Sequence, residues 1–187
     1  MNKIQMNKNS KQVELSNRLN SASNVKDVFS LVKSMVMDTF AIKKDKLVIA
    51  SGDLEASGNF VLGGFYSHND NAIVLNKKIL DSIKRKNPEI FNSYLFHVLL
   101  HEYLHSIGFI DEIETRKLAF LISNKHLGFS HDATKIALNP GAYLKSFIPY
   151  QQKEIYFDKL LEDNDEAEDD NDEEIEEDDN SITDYIG

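Results

Sequence analysis

The chain has 187 residues, 41% of them hydrophobic, with no cysteine and a formal net charge of −10. That length suits one domain with accessory segments. The missing thiols exclude a disulfide framework and any thiolate metal site. No apolar run approaches the roughly 20 residues of a membrane span, and the polar, Asn/Lys-rich start lacks a secretory-signal pattern, so the reading expects a cytoplasmic protein without a membrane partner.

The charge is unevenly spread. Met1 to Leu161 carries 21 Lys and Arg against 16 Asp and Glu, a net of +5, while the remaining residues carry 15 acids. Residues 1–22 show no sustained hydrophobic period and are expected to form a flexible N-terminal arm or a frayed short helix. The ordered domain is expected over 23–161. The acidic segment 162–187 has too little apolar content to offset ordering entropy and is expected to be disordered.

From Asn24, a capping residue with Asp27 three positions on, Val25, Val28, Phe29, Val32, Met35 and Val36 recur at helical spacing. Three runs rich in β-branched and aromatic residues follow, Lys46 to Ala50, Phe60 to Ser67 and Ala72 to Leu75. Turn chemistry at His68-Asn69-Asp70-Asn71 predicts an antiparallel hairpin between the last two. Asn76 introduces a short helix to Ile83, and Asn87-Pro88 restarts the chain for a helix over Glu89 to Ile107, which Gly108 is suited to end. Asp111 and Glu114 resemble a cap and its partner for a helix to about His126. Ser130 is expected to cap a short helix to Leu138, and a last helical stretch is expected over Gln151 to Leu161.

Chemistry concentrates at His101-Glu102-Tyr103-Leu104-His105. Histidines four apart on a helix differ by about 40° in direction and about 6 Å in rise, so their rings can converge on one ion. Zinc accepts neutral imidazole, and a catalytic zinc needs three protein ligands with the fourth position open. Glu102 stands about 100° round the helix from His101, placed to act as a general base rather than as a ligand. The plain alternative is two polar side chains on a partly buried helix. A di-iron reading would need a second Glu-x-x-His, and the chain has none.

With Val98 three positions before the first histidine, uncharged neighbours and Ile107 beyond the second, the segment resembles the zincin metallopeptidases. The Gly64-Phe65-Tyr66 and Ala72-to-Asn76 runs resemble the strands that precede the active helix in small zincins. The resemblance implies an α+β, zincin-like fold with a short antiparallel sheet packed on the active helix. It implies zinc (Zn2+) as cofactor, peptide-bond hydrolysis of a peptide or protein substrate, and substrate binding by strand addition at the cleft edge.

For the third ligand the metzincin spacing favours Asp111, which is equally placed to cap a helix. The absence of any Met after Met37 departs from that group. Glu112 or Glu114 would resemble gluzincins, and His131 ranks third. His97 is expected as a supporting or core residue, His68 as a turn residue and His126 as a charge near a helix end. Tyr66, Tyr143 and His131 are candidate oxyanion donors. The rival class is a non-enzymatic, zinc-stabilised interaction protein regulated by its acidic tail. A nucleic-acid partner is disfavoured, because Lys77, Lys78, Lys84, Arg85 and Lys86 read better as a solvated helix face.

Overall fold

A computed structural model of the chain describes residues 3–54 and 63–140. Among them the architecture is α+β, with six α-helices and one three-stranded mixed sheet. Tyr143, the stretch 151–161 and the acidic segment 162–187 lie outside the described residues.

Of the two expectations for the N-terminal residues, a loose arm or a short helix, a helix forms, longer than expected. They form α1, Lys3–Asn20, with Leu15 and Leu19 buried. Two leucines one turn apart are too few to register as a period. Polar contacts between distant segments do the rest: Gln12 Nε2 donates to Asn124 O at 3.3 Å and Lys125 O at 3.0 Å, near the end of another helix. Asn92 Nδ2 in turn donates to Leu19 O, Asn20 O and Ala22 O, which receives the carbonyls at the end of α1.

Helix α2, Val25–Phe40, starts as its sequence predicts. Asn24 Oδ1 accepts from Asp27 N at 3.0 Å while Asp27 Oδ2 accepts from Ser23 N at 3.2 Å, a reciprocal cap. Its face of Val28, Phe29, Leu31, Val32, Met35 and Val36 is buried.

Strands β1 (Val48–Gly52), β2 (Gly64–Ser67) and β3 (Ala72–Asn76) lie in the order β1-β3-β2. The β2-β3 hairpin is antiparallel, as expected. The expected all-antiparallel sheet is corrected, because β1 pairs parallel to β3. Short hydrophobic runs do not say which edge of a strand a neighbour takes, and here the hairpin's first strand lies within the crossover that a parallel pair requires. Asn76 N donates to Gly63 O at 2.6 Å, which sets the hydrogen-bonding alternation: Gly63, Phe65 and Ser67 turn their backbone groups to β3, and Gly64 and Tyr66 turn theirs away from it. A Cβ on Gly64 would stand 2.7 Å from Val74 O and 3.2 Å from the Val98 side chain, so glycine lets β2 lie close to both β3 and the later helix that carries Val98.

After α3 (Lys77–Lys86) a 3-10 turn at Pro88–Ile90 leads into α4, Phe91–Ser106. Tyr94, Leu95, Phe96, Val98, Leu99, Leu100, Tyr103 and Leu104 are all buried, which makes α4 the central element of the core. Helix α5, Glu112–Leu127, and α6, Asp132–Leu138, follow. The cap of α6 is His131, not the expected Ser130: the His131 ring Nδ1 accepts from Ala133 N at 3.1 Å.

Candidate metal centre

His101 and His105 share one face of α4, and the connection to α5 brings a carboxylate back over them. Gly108, at φ 110, turns the chain, and Phe109 N returns to Leu104 O at 3.2 Å. Phe109 O then accepts from Thr115 Oγ1 at 3.2 Å and lies 2.7 Å from His105 Nδ1. A carbonyl can only accept, so His105 carries its proton on Nδ1, and the Nε2 lone pair of the neutral ring is left for a ligand.

That lone pair belongs to a group of three. His105 Nε2 is 3.1 Å from His101 Nε2 and 3.0 Å from Glu112 Oε1, and His101 Nε2 is 3.2 Å from Glu112 Oε2. Ligand atoms about 2.0 to 2.1 Å from a tetrahedral ion stand about 3.3 Å apart, so His101, His105 and Glu112 could hold a metal ion with little adjustment.

The third member of this group is Glu112, not Asp111, the residue that the metzincin spacing favours. Asp111 Oδ1 accepts from Glu114 N at 2.6 Å, so the residue favoured as a ligand is the N-cap of α5. Glu112, one position later, turns back to α4. Glu114 and His131 do not join the group, although Glu114 N receives the cap and His131 caps α6.

Electrostatics bind the three together. When the rings carry a proton on Nε2, with no metal bound, hydrogen bonds from His101, then His105, hold the Glu112 carboxyl well below the usual carboxylate range. Burial pushes His101 down more than the same carboxylate pushes it up. At His105 burial also lowers the ring, but the Glu112 hydrogen bond, the Glu102 charge and Phe109 O together outweigh it, so the net shift is upward. Arg116, one turn after Glu112, places Nε 3.7 Å from Glu112 Oε2.

Glu102 is buried beside this group, 7% exposed. Burial pushes its carboxyl up to about 8; the His105 ring opposes that shift and the Glu112 carboxylate adds to it. The outward-facing Tyr66 N–H of β2 opposes that rise by favouring the charged form.

The remaining histidines fall outside the group. His97 is buried with its ring centroid 6.3 Å from that of His101, and burial pushes its pKa down to about 3. His68 lies edge-on to the Tyr66 ring in the hairpin. The Tyr66 hydroxyl, a candidate oxyanion donor by sequence, is held between Lys44 Nζ at 2.7 Å and Asn71 Oδ1 at 3.1 Å. Lys44 and Arg116 escaped the sequence reading, because neither lies in a motif; for Glu112, the cap signature at Asp111 was the available signal that its neighbour's carboxylate was the freer one.

No protein-family model, curated protein or solved structure matches the chain.

Proposed function

We propose that the chain is a zinc-dependent peptidase of the zincin type, with a gluzincin-like ligand set of His101, His105 and Glu112 and with Glu102 as general base. The observation that carries this reading is the convergence of two imidazole nitrogens and one carboxylate at 3.0 to 3.2 Å. Among the described residues three side chains form this group, which fits the open coordination of a catalytic zinc better than the four-ligand closure of a structural one.

Zinc bound there would supply a Lewis acid and a water whose pKa is lowered to about 7. Glu102 takes a proton from the attacking water and returns it to the leaving amine. The Tyr66 N–H holds one end of that carboxylate in place. Since that N–H is engaged, the outward Gly64 N–H and C=O and the Tyr66 C=O are the groups β2 offers to an extended peptide substrate.

Metal analysis of protein purified without a histidine tag tests the reading, paired with hydrolysis of a peptide library by wild type and Glu102→Gln. One zinc per chain and cleavage that depends on Glu102 support it. Stoichiometric zinc with no cleavage would leave the rival class, a zinc-stabilised interaction protein.

A further inference from the structure

The backbone N–H of Tyr66, which favours the charged form of Glu102, turns away from β3 on β2, an edge strand of the sheet. Where that N–H stands relative to α4 depends on what ties β2 to the helix. One polar tie between them is Lys44, in the connection between α2 and β1. Its Nζ donates to Tyr66 Oη at 2.7 Å and to Ser106 O at 2.7 Å.

Both ends of this bridge are themselves fixed. Tyr66 Oη passes its proton to Asn71 Oδ1 at 3.1 Å, and Asn71 Nδ2 donates to Lys46 O at 3.0 Å. The Lys44 backbone N donates to the hydroxyl of buried Tyr103 at 2.9 Å. At the end of α4, Tyr103 O, Leu104 O and His105 O are met by the backbone N–H groups of Ile107, Phe109 and Gly108. Ser106 O receives the lysine, a cation at the negative end of the helix dipole.

We propose that Lys44 is a positioning residue: its ammonium ties the edge strand β2, through the Tyr66 hydroxyl, to the C-terminal end of α4, and so holds the Tyr66 N–H against the Glu102 carboxylate. The consequence for turnover rests on the peptidase reading; the tie itself does not. Lys44 touches none of His101, His105 and Glu112, so its loss leaves the metal group complete.

Three variants of the full chain test this, each read by amide hydrogen exchange at Tyr66, by zinc content and by kcat and KM. Lys44→Met keeps the stem and removes the donors. It is expected to raise exchange at Tyr66 by about tenfold or more relative to amides in the middle of α4, as loss of a charge-assisted bond implies. It should retain zinc and lower kcat by a larger factor than it raises KM. Lys44→Arg, which can still donate to both oxygens, should recover most of both effects. Tyr66→Phe keeps the lysine on Ser106 O and removes the strand end of the bridge, so it should loosen Tyr66 as Lys44→Met does; it carries the test alone if Lys44→Met fails to fold.

Unchanged exchange at Tyr66 in the folded variants overturns the tie, whether or not the protein hydrolyses peptides. Raised exchange with unchanged kcat overturns the link to Glu102. A wild-type chain that binds no zinc overturns the peptidase reading instead, and the exchange measurement still decides the tie.

Discussion

Among the described residues histidine meets carboxylate at two places: where α4 faces α5, and where α1, α2 and α5 come together. At the first, His105 gives its Nδ1 proton to a carbonyl and turns a lone pair toward His101 and Glu112. At the second, His126 Nε2 lies 3.0 Å from Thr39 Oγ1, whose own proton goes to Met35 O at 2.8 Å. His126 must therefore donate there, and no lone pair converges with the Asp38 carboxylate 3.7 Å away. Lys11 and Lys125 also reach Asp38, at 3.3 and 3.4 Å, and two ammonium groups oppose any further cation. The same residue types thus make a candidate metal centre in one place and a helix junction in the other, and the difference lies in which ring nitrogen holds the proton and in what surrounds the carboxylate.

Of the two places, the α4–α5 centre is the more sensitive to substitution, and Glu102 is its most sensitive residue. Glu102→Gln should keep zinc and fold while turnover drops by roughly 10²- to 10⁴-fold, the usual contribution of general acid-base catalysis. Steady-state rates with parallel metal analysis check this, and a variant that cleaves at the wild-type rate removes Glu102 from the chemistry.

Next comes the ligand set. Glu112→Gln should weaken zinc binding by more than the roughly 10- to 100-fold typical of losing an outer partner, whereas Asp111→Asn, still a good helix cap, should leave it unchanged. Competition with a calibrated chelator measures both. The opposite pattern would restore Asp111 as the ligand.

The helix junction predicts a pH effect of a different kind. Burial pushes His126 down to about 4 from its ordinary 6.5. A group whose folded pKa is depressed stabilises fully above its unfolded value, so this contribution is present above about pH 6.5 and is lost as pH falls toward 4. Denaturant unfolding of chelator-stripped protein across that window should show the decline, and His126→Gln should lessen it, leaving the part that buried His97 and His101 contribute.

Asp111→Ala, which deletes the cap on Glu114 N, should cost about 1 kcal/mol. Smaller still, Lys11→Met removes an exposed partner of Asp38 and should change stability by less than about 1 kcal/mol. A larger loss at Lys11 than at Asp111 would mean that the tie between α1 and α2 matters more to stability than the cap of α5.

Local features of this protein were legible in its sequence because each closes within a turn or two of chain. The His101-Glu102-x-x-His105 spacing, the Asn24 and Asp111 caps, the turn at Gly108 and the β2-β3 hairpin all belong to that class. Tertiary structure decided what depends on distant partners. Helix α1 exists through contacts with α5 and Asn92, and β1 takes the parallel edge of β3. Asp111, Glu112 and Glu114 begin one helix, where successive positions point about 100° apart. Which of the three carboxylates returns to His101 and His105 is set by how α5 packs across α4, an angle that no short stretch of sequence encodes.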